Sequence, residues 1–381
     1  MFINQPTIIC NLTAGIFLSF TSLVNAATIY ACKDKAGTIL YSNNACSPNT
    51  VEVYHRLVSP SLTTTQSIST SVNISLQTDS VFSPTSFWYQ DISKARIDGN
   101  SANWTAEFLR QKAAYFGTVG INTYSYSAPV FTVDDTVKSV KVEFNNCQNK
   151  SSVDAGFLAQ MSAVPIPKYA IPATGGDDEM AIYKPSTGEY WEMWHTKHDA
   201  VTGVWSACWG GKIDNTKLSD GVFPSYYGTT ATSLPFIGGQ ITAEELSRGE
   251  IRHAIGISLV DLSNWDVVSW PAHRSDGSNP LKLMNRIAEG QRFRLDPTVN
   301  VDALPLGKAG KTIARAAQKY GFVVWDKAGA ITLRAQNANG YTAQGLADPY
   351  PAVYEYMPLW KILQGFPFER LQFLPRNYGK P

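Results

Sequence analysis

GEIRHAIGISLVDLSNWDVVSWPAHRSDG, residues 249–277, is the stretch from which the fold is read. From Ile251 to Leu259 the chain alternates: Ile251, His253, Ile255, Ile257 and Leu259 share one side, and Arg252, Ala254, Gly256 and Ser258 the other. Such a run predicts a strand, and it puts His253, one of five histidines, on the apolar face. A second strand is expected from Trp265 to Trp270, stopped by Pro271. Beyond it, His273, Arg274, Ser275, Asp276 and Gly277 form a turn dense in hydrogen-bonding groups, the best candidate for a working surface.

Working outward, Ile241–Arg248 reads as a short helix: Thr242 caps it, Glu245 closes a capping box, and Gly249 ends it. Upstream, Met180–Lys184 and Glu189–His195 are strands around a Pro185–Gly188 turn, with Tyr190, Glu192 and Trp194 on one face and Trp191, Met193 and His195 on the other. Val204–Trp209 is expected to continue that sheet, followed by long loops over Gly210–Asn215 and Ser219–Gly239. Asn103–Ala114 has helical spacing, Val130–Val133 and Val137–Phe144 alternate as strands, and Asp154–Gly176 reads as a surface connection. Downstream, Gly290–Leu295 is a short strand carrying Arg292 and Arg294, both expected to pair with acids. Lys308–Tyr320 is an amphipathic helix with Ile313, Ala316 and Ala317 on its buried stripe, and Phe322–Trp325 with Ile331–Arg334 reads as a hairpin. Many short strands with few helices predict a mainly β protein, a jelly-roll-like β-sandwich with helical additions.

The 381 residues are 44% hydrophobic and 12% aromatic, enough for one large core and a small accessory module. Charged residues make up 17%, below the roughly 25% usual for soluble domains, and the net charge is only +1. No basic stripe is present to follow a phosphate backbone, so nucleic acid is excluded as a partner. No G-x-S-x-G, H-E-x-x-H or phosphate loop occurs either.

Residues 1–26 carry no charged side chain, contain an apolar run from Thr13 to Val24 and end in Asn25-Ala26, which predicts a secretory signal cleaved after Ala26 and no membrane span thereafter. Cleavage leaves Cys32, Cys46, Cys147 and Cys208, an even number suited to an oxidising compartment, with Cys32–Cys46 and Cys147–Cys208 the expected disulfides. No C-x-x-C spacing exists, so neither zinc nor any other cofactor is expected. Residues 27–50 then form a small β-hairpin module, with strands Thr28–Cys32 and Thr38–Ser42, too small to be stable without its staple. A linker over 51–86, Ser/Thr-rich from Ser59 onward, leads to the main domain, 87–381.

Within the small module, Ile29-Tyr30, Cys32, Lys33-Asp34, Gly37, Tyr41-Ser42 and Cys46 resemble a short N-terminal domain of unknown function found on exported proteins of Gram-negative bacteria. The resemblance implies a periplasmic or secreted location and no chemistry. In the main domain, seven ordered motifs resemble a family of secreted bacterial proteins over roughly residues 87–375. They include Tyr190-Trp191-Glu192-x-Trp194, Gly249-Glu250-Ile251-Arg252-His253-Ala254, Trp270-Pro271-Ala272 followed by Asp276-Gly277, Gly290-x-x-Phe293-Arg294-Leu295, and Tyr320-Gly321 with Asp326. This resemblance implies export and a single β-rich domain, without an activity.

The candidate chemistry is that of a glycan-active protein, a glycoside hydrolase or polysaccharide lyase, acting as a monomer on a polysaccharide. Glu192, flanked by Tyr190 and Trp194, is the expected acid or nucleophile, because a carboxyl among aromatics is kept protonated. His253, His273 and Arg274 are expected to orient or deprotonate the sugar, and Tyr190, Trp194, Arg252 and Asp276 to bind it. The competing readings are structural: His253 satisfied inside the core, Glu192 paired with Arg252 or Arg294, and the His273 turn bonded to itself. Asp177, Asp178 and Glu179 read either as a calcium loop or as a solvated acidic turn. A non-catalytic carbohydrate-binding or scaffold protein is the alternative function.

Overall fold

The computed structural model describes residues 80–381 and, before them, the backbone of three strands. The chain divides into two units, Met1–Asn73 and Ile74–Pro381. In the first, β1 (Ala27–Lys33), β2 (Ile39–Ser42) and β3 (Val51–Val58) form one sheet. β1 and β2 make the expected hairpin, with Tyr30 opposite Ser42 and Lys33 opposite Ile39. The other edge of β1 pairs with β3 from Ala27/Val58 to Lys33/Val51. The module is thus three-stranded, and its third strand, rich in β-branched and aromatic residues, occupies positions assigned above to the linker. The signal segment, the Cys32–Cys46 bridge and linker residues 59–79 lie outside the described residues.

The second unit begins its packing at Val81 and Phe82, both buried, whose amides donate to the Tyr89 hydroxyl. It continues with α1 (Ser101–Ala114), β4 (Gly120–Asn122), β5 (Val130–Thr132), β6 (Val142–Phe144) and α2 (Ala155–Gln160). The hairpin β7 (Met180–Lys184) and β8 (Glu189–Trp194) precedes β9 (Lys197–His198), β10 (Trp205–Ala207) and β11 (Trp209–Ile213). Two short helices, α3 (Phe236–Gly239) and α4 (Ala243–Arg248), lead into β12 (Ile255–Leu259). Then come β13 (Arg292–Leu295), α5 (Lys308–Lys319), β14 (Phe322–Lys327), β15 (Thr332–Arg334) and β16 (Leu371–Phe373). Among the described residues no helix is long and apolar enough to cross a membrane.

A six-stranded sheet, β16-β13-β14-β12-β15-β4, and a four-stranded one, β11-β8-β7-β5, carry most of the architecture. One face of the larger sheet, with Ile255, Ile257, Phe293 and Leu333, packs on α1, α5 and the tail around Phe366 and Phe368. Its other face, with Ala254, Val323 and Trp325, shares a core with Ala181, Tyr183, Tyr190 and Ile213 of the smaller sheet. The far face of the smaller sheet, with Met180, Ile182, Trp191 and Met193, packs on α2 and on a third sheet, β6-β10-β9. β12 is therefore buried on both sides. Gly256 is required there, since a Cβ would stand 2.3 Å from the Trp325 ring that lies across it.

Several expectations change. The sheets are mixed and open, with parallel pairings β5/β7, β6/β10, β12/β14 and β4/β15, which the antiparallel jelly roll lacks. β14 and β15 form no hairpin, because β12 lies between them. Residues 265–270 are a turn rather than a strand: the Val267 amide closes on the Asn264 carbonyl at 2.8 Å, leaving Trp265 exposed. Gly210–Ile213, expected in a loop, belong to β11, which pairs with β8. α4 keeps its capping box and its left-handed Gly249 as read.

Cys147 and Cys208 are joined as expected, across a sequence separation of 61. Closing a loop of that length stabilises by about 4 kcal/mol through the unfolded chain. Replacing both cysteines by Ala should lower the urea midpoint to that of the reduced wild-type chain; a midpoint equal to that of the oxidised chain would show that the bridge constrains nothing.

Candidate functional site

Strand ends from both large sheets meet at a cavity of about 800 Å³. β7 is preceded by Asp177 and Glu179, β8 ends at Trp194, β11 starts at Trp209, and β14 and β15 end near Asp326 and Arg334; all of these line it. Arg334 lies on its floor, 4% exposed, with Nη1 2.7 Å from Glu179 Oε1 and Nη2 2.7 Å from Asp326 Oδ2. The Asp326 Oδ1 accepts the amides of Ala231 and Lys327. Burial pushes the Asp326 carboxyl up to about 7, with Asp276 and Glu179 adding repulsion against the pull of Arg334.

Asp276 reaches the same cavity from the turn after Pro271, and Glu289 lies fully buried behind it. The Asp276 amide donates to Glu289 Oε2 at 3.0 Å. Burial and the neighbouring Asp276 charge raise the Glu289 carboxyl to about 8. Loss of water raises Asp276 as well, opposed by Lys327 and Arg274. Both carboxyls are thus held above the usual carboxylate range, each by burial.

One wall is aromatic. Trp209 stacks on Phe157 and Tyr227 at 5.6 Å and on Tyr226 at 6.1 Å, with the Lys150 ammonium 4.6 Å above its ring. Asp154 caps α2 through Phe157 and takes the hydroxyl protons of Tyr226 and Tyr227, which fixes both rings. Trp194 also faces the cavity, its Nε1 donating to Asp177 at 3.1 Å.

Of the residues singled out from sequence, Trp194, Arg274 and Asp276 line the cavity. Glu192 does not. It is fully buried and accepts from the Tyr190 hydroxyl at 2.6 Å, the Thr229 hydroxyl at 2.6 Å, the Thr229 amide at 3.3 Å and the Phe236 amide. Burial raises it to about 7 against those four donors. It anchors the 229–236 loop, and Tyr190 is sealed beside it, away from the cavity lining. Arg274 clasps the same loop from outside through the carbonyls of Gly228 and Thr230, and His273 does so through the carbonyls of Thr232 and Ser225. Gly228 is needed at φ +98, where its backbone passes Phe223.

His253 stands outside the cavity lining. Its Nε2 is 3.1 Å from Glu245 Oε1 and its Nδ1 donates to the Ala254 carbonyl, so it clamps α4 to the strand entrance. Burial opposes its charge, but Glu245 overcomes this and raises its pKa. Arg252 is half-exposed and pairs with Glu250, not with Glu192. Among the described residues Arg292 and Arg294 pair with no acid; they donate to Gln90 and Gln372 and to the Tyr320 and Ile92 carbonyls. The acidic turn splits among three partners: Asp177 with Trp194, Asp178 with Lys197, and Glu179 with Arg334. Such divergence suits neither a calcium cage nor a solvated turn. Among the described residues no three His, Cys, Asp or Glu side chains converge as metal ligands. Sequence reasoning missed Glu289, Arg334, Trp209 and Tyr226; Asp326 stood in a quoted motif but received no role.

Residues 16–67 match a family described as a domain of unknown function, DUF4124. The match spans the three strands of the small unit and none of the cavity residues. No curated protein and no solved structure matches the chain.

Two predictions follow from these groups. Glu192, Glu289 and Asp326 hold protons more tightly folded than unfolded, so the folded chain binds more protons between the ordinary carboxylate range and about pH 8. His253, also raised, contributes stability that is complete below its unfolded pKa and lost as pH rises through the folded one. The free energy of urea unfolding should therefore fall from about pH 5 to about pH 8; a flat or rising profile would contradict the assignment. His253→Ala, which strands a buried Glu245, should cost about 3 kcal/mol of stability, measured by the same unfolding at pH near 6, whereas no loss would mean that the pair is not a clamp.

Proposed function

We propose that the chain is an exported glycan hydrolase whose active site is the carboxylate cavity. The observation that carries this reading is Asp276, backed by the buried Glu289, placed with Asp326 at a cavity walled by Trp209, Tyr226 and Trp194. Glycosidic cleavage needs one carboxyl that arrives protonated and one that arrives ionised, and aromatic faces hold sugar rings. Asp276 gives its proton to the leaving glycosidic oxygen, resupplied from Glu289. Asp326, ionised above about pH 7, takes the proton of the water that adds to the anomeric carbon. Arg274, His273 and Glu192 act as positioning residues that fix the loop forming one side.

A hydrolase is favoured over a lyase by charge. Five carboxylates line the cavity against four cations, and Arg334 and Arg274 are committed to internal partners. A uronate carboxylate would meet little that neutralises it. The Cys147–Cys208 bridge supports a periplasmic or secreted location, together with the expected signal segment and the stapled module. The core shared by the two large sheets supports reading the main unit as a sandwich. The second reading, glycan binding without cleavage, is favoured by the extended aromatic wall alone.

Asp276→Asn and Asp326→Asn should each lower glycan turnover by about 10³-fold with little change in binding, and Trp209→Ala should weaken binding. The pH profile of wild-type kcat/KM should rise as Asp326 ionises at about 7 and fall as the Asp276–Glu289 pair loses its proton at about 8. Binding without turnover in the wild-type chain would establish the second reading; turnover that survives both Asn variants would remove these residues from catalysis.

A further inference from the structure

A second cavity, of about 820 Å³, opens between the start of α1, the 263–267 turn and the segment Asn279–Arg286. Its inner wall is Trp104, 6% exposed. The indole packs on Phe373 at 6.0 Å, yet among the described residues nothing accepts from its buried Nε1. A buried indole N–H without an acceptor is costly unless something else satisfies it. The guanidinium of Arg376 lies 5.7 Å from the ring centroid, held by one long hydrogen bond of 3.3 Å to the Arg286 carbonyl. Arg376 is exposed and lines the same cavity.

The rest of the cavity is already shaped. Asn279 closes the segment on Leu283 through two hydrogen bonds of 2.9 Å, Asn264 holds Asp266 at 2.8 Å, and Asn100 donates to Asn285 at 3.2 Å. The rim is apolar: Leu283 is 48% and Met284 85% exposed. A polar interior, a ring face and an apolar rim suit a molecule that is itself hydroxylated on its edges and apolar on its faces. Charge narrows the class. Asp98 and Asp266 balance Lys282 and Arg376, while Arg286 is committed to Glu107 and Asp261. The cavity therefore presents no net charge to select an acidic sugar.

The segment that builds this cavity is also the one that delivers the catalytic pair. Asp276 lines the first cavity and Asn279 the second, and three residues of chain span at most about 11 Å. We propose that the second cavity is an accessory subsite for a neutral glycan, recognised by the ring face and Nε1–H of Trp104 and continuous with the chain held in the cleft. This rests on the reading of the cleft as a glycan site.

The test uses the indole N–H signals of the ten tryptophans in the ¹⁵N-labelled full chain, those of Trp104, Trp194 and Trp209 being assigned by Phe substitution. The probes are neutral hexasaccharides of β-1,4-linked glucose, xylose and N-acetylglucosamine, with oligogalacturonate as the acidic counterpart. The expected result is a saturable shift of the Trp104 signal with a neutral probe, retained in Trp209→Ala. Trp104→Phe, which keeps an aromatic ring against Phe373, should weaken that binding about tenfold with the other nine signals in place. If the Trp194 and Trp209 signals move and Trp104 stays still, the subsite is wrong and the cleft reading stands. If Trp104 alone moves, glycan binding at Trp104 stands, but the cleft reading falls and with it the continuity of the two sites. If no signal moves with any probe, both fail, and a preference of Trp104 for oligogalacturonate overturns the neutral class.

Discussion

The buried guanidinium of Arg334 is the constraint on which the cavity depends. A charge so removed from water is tolerable only with opposite charges at contact distance, and here they come from different sheets. Glu179 precedes β7 of the four-stranded sheet, whereas Asp326 belongs to β14 of the six-stranded one. Moving either sheet against the other would leave a buried charge unpaired. The strand ends are therefore held in one arrangement, and Asp326 is presented at the cavity with its second oxygen fixed by two amides.

Around that cation, carboxyl groups outnumber the charges that could keep them all ionised. Glu179, Asp276, Glu289 and Asp326 repel one another in surroundings with little water, and Arg334 reaches only two of them. Asp276 and Glu289 meet the conflict with carboxyls raised by burial. Burial and that repulsion raise Glu289 and Asp326 well above the usual carboxylate range. Glu192 resolves a similar conflict differently: four donors surround it, and its role becomes mechanical.

Local signals were read well where the physics was local. The α4 capping box involves only Thr242, Glu245 and Gly249; the β7/β8 hairpin turns within four residues; and the stripe of α5 recurs every three or four positions. Alternation was less informative in β12, because both of its faces are buried and the small Gly256 was set by a tryptophan 69 positions away. The adjacency of β14 and β15 in sequence suggested a hairpin, but β12 satisfies backbone groups of both. The same limit applies to the site. Trp194, Arg274 and Asp276 were legible as polar or aromatic residues at strand ends and turns, whereas Glu289 and Arg334 looked like ordinary charges and Trp209 like a core residue.

The sequence by itself determined the α4 and α5 helices, the β7/β8 hairpin, the face on which Tyr190 and Glu192 lie and the Cys147–Cys208 pairing. Tertiary structure alone decided which titratable groups meet. Whether a carboxyl is an acid, a base or an anchor depends on its water and its neighbours, and those are supplied by residues far apart in the chain. Glu179 and Arg334, 155 positions apart, form one ion pair, while Glu192, the acid suggested by its aromatic flanks, is sealed beneath a loop that those flanks do not reveal.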